Sequence, residues 1–494
     1  MSQGKAHKEG ESSFRHILKY TGIFGMVQVL NMLMNIIRNK VAAMFLGRAG
    51  MGMLDMYNKS ANLLSQSTNF GISISGVKQM SEAASQQEMQ HTRHYATTLR
   101  TYSMMVGLFG MGICILCHWF LHDSYTTVNF LLLSPVILMM AVNEGEMAIL
   151  KGTKQLMRLT TVSVLIAFII LMVFTPFFYF MHSRGIIWAL LLSHIIICLT
   201  TLHFSTKHLP YRVDLFSKET LRTGLPMLRM GIGLLIAGLF GKGSEFLVNY
   251  FIEHNSGLDD VGLFNRGYTM AVVYAAIIFS AMDADYYPRL SATENDIHLQ
   301  NITINRQIEV CVLLISPFLV FFTVGLPIIV PILFSQDFME CIPMTLGAIF
   351  FMFFRALCLP VSYLALARSD SKMYMLTELI YDTMIAVLIP IAFHYWGLGA
   401  TGFTISFCGF ISLLLYYFLY HWRYGFRFDT SHLGIYIVQS LLLTGAVWLA
   451  FQTTGWMRWM TGGLLGLLSL VISIRILSKE TDIISRLKTK FKRQ

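Results

Sequence analysis

Charge is scarce in this sequence. Asp, Glu, Lys and Arg make up 13% of its 494 residues, where a soluble domain carries about 25%. With 55% apolar residues and a mean hydropathy of +0.59, a water-soluble globular protein is excluded. Acids are the scarcer sign, 27 against 37 Lys and Arg, which leaves a net charge of +10. Such an excess could serve nucleic acid, but most of the cations lie in short loops between apolar segments, so no nucleic-acid partner is expected. Cysteines number only seven. Cys198, Cys311, Cys341, Cys358 and Cys408 are scattered, mostly in or beside apolar runs, and read as small core residues. Cys114, Cys117 and His118 have the spacing of c-type haem attachment. No soluble domain adjoins them to enclose a haem, so packing is their expected role, and no cofactor or metal is expected. The sequence also lacks HExxH, any convincing pairing of a histidine with a nucleophile, and a large outer loop. A polytopic enzyme acting on sugar-lipids would need one of these, so no catalytic residues are expected. No cleavable leader is expected either, because the first 17 residues are polar and basic and the apolar run after them exceeds a signal h-region.

Long apolar runs are what the sequence has instead. Thr126 to Val142, Leu159 to Met181 and Thr404 to Tyr420 carry no charge and approach or exceed the length that crosses a bilayer. Apolar segments fall near 18–46, 52–78, 95–121, 126–150, 157–181 and 185–204. They resume at 221–252, 261–288, 307–334, 342–366, 373–395 and 399–421, with two more near 432–452 and 457–477. The expected fold is an all-α polytopic membrane protein with about 14 transmembrane helices. The domains read as a tail (1–17), an N-lobe of six helices (18–204), a linker (205–220), a C-lobe of six (221–421), helices thirteen and fourteen (422–478) and a basic tail (479–494). Loop cations concentrate on the N-terminal side, with only Arg48, Arg184 and Arg458 opposite, so both termini should be cytoplasmic.

The two lobes repeat each other. Gly22 answers Gly224, Gly52 answers Gly262, and Met80-Ser81 answers Leu290-Ser291. "LKGTKQLMRLT" between helices four and five answers "ALARSDSKMYMLT" between ten and eleven. Six helices separate the copies, so they share one orientation. Parallel repeats of this kind build transporters with the substrate path between the halves.

Some charges remain at membrane depth, where each costs roughly 2.5–3.5 kcal/mol on insertion scales. The cations are Arg38, Lys40, Lys59, Arg229, Lys242, Arg266 and Arg355. The acids are Asp55, Glu144, Glu146, Glu245, Asp283, Asp285, Glu309, Glu378 and Asp382. On helix one Gln28, Asn31, Asn35 and Arg38 form a single stripe, and on helix two Asp55, Lys59, Asn62, Gln66 and Asn69 form another. Two such stripes should face a shared hydrophilic cavity. Lys40 lies off the stripe near the outer edge, where it can snorkel, as Arg229 can near the start of its helix. Asp55 with Lys59, and Lys242 with Glu245, are spaced to neutralise each other or to serve substrate. Arg266 and Arg355 have no acid at helical spacing and must find a partner elsewhere. Glu144 can pair with a neighbouring helix's cation. Glu378 and Asp382, four apart, repel unless one holds a proton, an arrangement suited to ion coupling. His194 reads as a satisfied core histidine. Unpaired cations in such a cavity suit a phosphorylated or otherwise anionic substrate, exchanged against protons or Na⁺.

Several stretches resemble a known family. "KVAAMFLGRAGMG", ending helix one, is similar to the helix-one exit of Wzx-type O-antigen and polysaccharide repeat-unit flippases. These belong to the multidrug/oligosaccharidyl-lipid/polysaccharide (MOP) exporter superfamily, which also contains the MATE transporters. "DVGLFNRGYTMAVVYAAIIFSAMDADYYPRLSA" resembles the family's helix eight, ending in Tyr286-Tyr287-Pro288-Arg289-Leu290-Ser291. "LKGTKQLMRL" and "YLALARSDSKMYMLTEL" resemble its short inner loops. The resemblance covers about Leu18 to Tyr420. It implies a MATE/MOP-like bundle of six helices plus six in a bacterial inner membrane. It implies a flippase that moves an undecaprenyl-diphosphate-linked oligosaccharide to the outer leaflet by alternating access coupled to H⁺ or Na⁺, beside polysaccharide polymerase machinery. Arg38, Lys59, Arg266 and Arg355, with Arg229 and Lys242, would then meet diphosphate or anionic sugars, with Asn31, Asn35 and Asn62 lining the path. Glu144, Glu378, Asp382 and Asp55 would serve coupling or gating. A fourteen-helix branch that flips lipid II and a drug/cation antiporter are the alternatives within the superfamily. An antiporter's site should be dominated by acids with few deep cations.

Overall fold

The computed structural model describes residues 2–85, 89–121, 128–207, 209–215, 217–293, 296–453 and 455–481. Among these residues every regular element is a helix. The chain divides after His254 into two compact units. The first contains α1 (Ser2–Thr68), α2 (Ile72–Ser85), α3 (Met89–Leu121), α4 (Phe130–Gly152), α5 (Leu156–Met181), α6 (Ile186–Thr206) and nearly all of α7 (Lys218–Ser256). The second contains α8 (Leu258–Tyr268), α9 (Ile277–Ser291), α10 (Ile297–Leu333), α11 (Ile342–Ala367), α12 (Ser371–Tyr424), α13 (Leu433–Gln452) and α14 (Trp456–Thr481). The irregular segment between α6 and α7 falls where the sequence places its polar link. α7 nevertheless groups with the first unit. The basic tail lies outside the described residues from position 482 onward.

Nine helical stretches among the described residues are long and apolar enough to cross a membrane. Three of them, Val27–Thr68, Leu156–Thr206 and Ser371–Tyr424, run to 42, 51 and 54 residues, about twice the roughly 20 that one crossing needs. Each is interrupted: at Gly47, at the 3₁₀ turn His182–Gly185, and at Gly397. Gly47 (φ 65°, ψ −166°) and Gly257 (φ 89°, ψ −175°) share a backbone conformation that only glycine adopts without strain. Each lies five residues before one of the paired glycines, Gly52 and Gly262. Lys154 (φ 56°) and Ser369 (φ 55°) are left-handed at matching corners. Their separation, 369 − 154 = 215, equals that of His182 and Gly397, 397 − 182 = 215. The repeat read from sequence landmarks is therefore repeated in the path of the backbone.

Two segments that the hydropathy pattern presents as unbroken are broken. In 52–78, α1 stops at Thr68, Phe70 and Gly71 turn left-handed, and α2 begins at Ile72. In 261–288, α8 passes at Thr269 into a six-residue π-helix, and α9 begins at Ile277. The first break has a local cause in Asn69 and Gly71. The second lies in a run without Gly or Pro, and π-turns of this kind concentrate at functional sites.

Packing within each unit uses small residues. Gly402 of α12 lies so close to α11 that a Cβ would sit 1.9 Å from the Met344 carbonyl oxygen. Ser406 one turn on donates to the Gly347 carbonyl at 2.6 Å. The α13–α14 pair packs on α10, where added Cβ atoms on Gly462 and Gly466 would meet Val324 at 2.3 Å and Phe321 at 2.6 Å. Arg458 is buried there and donates to the Thr323 carbonyl at 2.8 Å, so it anchors the pair and is not the exposed loop cation its sequence position suggested. Many large apolar side chains are exposed, Trp119 and Trp422 at 84%, which suits a lipid surface and its interfaces.

Candidate functional site

In the second unit the broken helix builds one wall of a cavity. Tyr268, Val272, Ala276 and Phe279 recur at helical spacing and face a space of about 500 Å³. From α11 come Phe351, Met352, Arg355, Leu359, Ser362 and Tyr363, and from α12 Tyr374, Glu378 and Tyr381. Arg355 is half-buried and turned to this space. Among the described residues no carboxylate lies within 4.0 Å of its guanidinium. Glu378, the acid nearest in role, accepts a hydrogen bond at 3.0 Å from the hydroxyl of buried Tyr416. The Tyr381 ring stacks on Phe351 at 5.8 Å. A cation and an acid thus share an aromatic-walled cavity without closing on each other.

The first unit holds a second cluster. Glu245 of α7 receives Lys59 from α1 on one carboxylate oxygen and Lys242 on the other, the latter at 2.8 Å. The three side chains are 22%, 35% and 33% exposed, so they are reachable rather than sealed. The sequence spacing of Lys242 and Glu245 foretold their pairing. Lys59 turns to Glu245 of another helix, 186 residues away, where spacing alone had offered Asp55. Asn62 lies half-buried one turn along from Lys59. Glu144 does not meet a cation in the way its position invited. It accepts from the amide of Asn69 at the helix break, and that amide lies 3.4 Å from Ser73 Oγ.

The other candidates are placed as follows. Arg266 is buried at the end of α8, its guanidinium 5.6 Å from the Phe334 ring, and it does not line the cavity. Asp382 is half-buried one turn past Glu378 and also lies outside the cavity lining. On the helix-one stripe Asn31 and Arg38 are half-buried while Gln28 and Asn35 are exposed; Asp55 on the next stripe is half-buried. The side chains of Arg229, Asp283 and Asp285 lie outside the described residues. Cys114 is buried and donates to the Phe130 carbonyl at 3.1 Å, and His194 Nδ1 lies 2.8 Å from the Leu190 carbonyl. Both are packing residues. Among the described residues no three His, Cys, Asp or Glu side chains are grouped to hold a metal.

Sequence reasoning missed one ionic site. Arg100, read as a loop cation, is buried in α3. Its Nε and Nη2 donate to Glu146 at 2.6 and 3.0 Å, and it also reaches Ser205 Oγ and the carbonyls of Leu209 and Pro210. All three guanidinium nitrogens donate, so this is a structural clamp on the segment after α6. In the second unit, Asp370 caps α12. A little burial raises its carboxyl's pKa, but the Met373 N–H, the Tyr424 hydroxyl and Arg423 hold it below the usual carboxylate range.

The family described as polysaccharide biosynthesis protein matches residues 17–294. No curated protein matches the sequence. An inward-facing multidrug resistance MATE family transporter of the MOP superfamily matches with a TM-score of 0.67 at 14% identity, over 80% of this chain and 94% of its own. The lipid II flippase MurJ, in an inward closed conformation, matches at 0.66 and 14%, over 94% and 99%. A MOP superfamily transporter from Pyrococcus furiosus matches at 0.56 and 13%, over 82% and 95%.

Proposed function

Since the chain belongs to the polysaccharide biosynthesis protein family, and has the fold of MOP-superfamily transporters, we propose that it is a lipid-linked oligosaccharide flippase. Its cargo is an undecaprenyl-diphosphate-linked repeat unit. The cargo moves from the inner to the outer leaflet of a bacterial plasma membrane by alternating access, driven by an H⁺ or Na⁺ gradient. Both termini lie on the cytoplasmic side, where the loop cations concentrate. The observation that carries the reading is the family match on a chain of membrane-crossing helices with short connections. A polysaccharide-synthesis protein built this way works inside the bilayer rather than on a platform beside it.

The barrier it must lower is plain. A diphosphate or a run of sugar hydroxyls entering hydrocarbon without partners costs several kcal/mol per polar group. The chain supplies partners at that depth. Lys59 and Lys242 act as point charges for the diphosphate, with Arg38 as a forked donor and Asn31, Asn35 and Asn62 along its path. Arg355 and the tyrosines receive the sugars, with Arg266 as a further cation for anionic cargo. Glu144, Glu378, Asp382 and Asp55 are the groups through which an ion gradient acts. A second reading, translocation of lipid II, is favoured by the MurJ match, which extends over 94% of this chain.

The test is reconstitution. Proteoliposomes of the full chain are expected to expose a polyprenyl-diphosphate oligosaccharide to an impermeant glycosidase at the far leaflet. An imposed proton or sodium gradient should raise the rate. No transfer above protein-free vesicles, for this lipid or for lipid II, would discard the reading.

A further inference from the structure

The cavity around Arg355 says which part of the cargo it receives, and this step rests on the flippase reading. We infer that it is a subsite for a carboxylated sugar, a hexuronic acid or a sugar bearing an equivalent carboxylate, and hence that the chain selects acidic repeat units. A single guanidinium opens on the space, with no carboxylate within 4.0 Å among the described residues. An arginine at membrane depth needs an opposite charge, and its planar fork matches one carboxylate through two parallel hydrogen bonds. The walls are rings: Tyr268, Phe279, Phe351, Tyr363, Tyr374 and Tyr381. Flat aromatic faces suit the C–H faces of a pyranose, while phenolic hydroxyls and Ser362 suit its hydroxyls.

Glu378 weighs against a diphosphate more than against a single sugar carboxylate, which brings less negative charge. A diphosphate would bring two or more negative charges against one guanidinium and place them beside this acid, which would repel them. A sugar brings hydroxyl donors, which a carboxylate oxygen accepts, and Tyr416 occupies only Oε1. The space of about 500 Å³ falls in the range of pockets that enclose a small ligand, enough for one or two pyranose rings.

The experiment uses the full chain in proteoliposomes with two polyprenyl-diphosphate disaccharides, one ending in glucose and one in glucuronic acid. Transfer is scored with impermeant glucosidase or glucuronidase. The wild-type chain is expected to move the acidic lipid faster by about tenfold or more, the scale of one charge-assisted contact. Arg355→Gln should slow the acidic lipid far more than the neutral one and so collapse the preference, and Arg355→Lys should restore part of it. Equal wild-type rates for the two lipids would overturn the subsite and leave the flippase standing, and this arm does not depend on any variant folding. An equal slowing of both lipids by Arg355→Gln would also overturn it. Transfer of neither lipid removes the flippase reading and the subsite together.

Discussion

Arg100 and Glu146 are 46 residues apart and meet with side chains 2% and 1% exposed. A pair this deep is costly to form and costlier to break, because removing one partner strands the other. Glu146→Ala is expected to destabilise the protein by about 3–5 kcal/mol, read as a large drop in thermal unfolding temperature in detergent. An unchanged temperature would mean that Arg100 is satisfied by Ser205 and the two carbonyls alone. Lys59, Lys242 and Glu245 sit differently, a fifth to a third exposed, and so remain available to exchange partners. At this scale the sequence was legible in part. It named Arg355, Glu378, Lys59 and Lys242 from charge at membrane depth, because hydrocarbon makes any such residue conspicuous. It could not pair Lys59 with Glu245, or see Arg100 as buried, because those partners come from helices far along the chain and helical spacing carries no information about them.

Elements were easier to read than their interruptions. Apolar runs announce helices because the bilayer forbids unsatisfied backbone. The π-turn at Thr269–Tyr274 left no trace, since its residues are ordinary strand- and helix-formers and only tertiary surroundings select the extra residue per turn. Both second helices, one per unit, break beside an ionisable group: Asn69 against Glu144, and the 268–276 stretch against the Arg355 cavity. Helix starts carry their own chemistry. Asp370 accepts from the Met373 N–H at 3.2 Å and from Tyr424 at 2.9 Å, and meets Arg423 at 3.3 Å. Its pKa lies below the unfolded value, so its contribution is present above about pH 4 and fades as pH falls through the lower, folded value. Asp370→Asn should therefore lower the unfolding temperature at pH 7 and differ progressively less from wild type as pH falls below about 4. A gap that widened toward acid would have the wrong sign.

For the molecule as a whole, the doubling of six helices was legible in four sequence landmarks, and the turn angles at 154 and 369, and at 182 and 397, follow the same doubling. The seating of α13 and α14 was not legible. It depends on Asn301 and Asn305 of α10, which bond the backbone of residues 425–429 as a strand would. It also depends on Gln439 bonding Ser469 and Ser473, and on the glycines that face α10. Gly466→Leu should overfill the contact with Phe321 and cost about 1–3 kcal/mol, seen as earlier thermal unfolding. No change would mean that α14 is held by Arg458 and its hydrogen bonds alone. The paired corners also bear on what a turn requires. Where one copy has Lys154 the other has Ser369, and where one has His182 the other has Gly397, yet each pair bends the same way. Two copies with different side chains thus turn at the same intervals of chain, so these corners do not depend on one required residue.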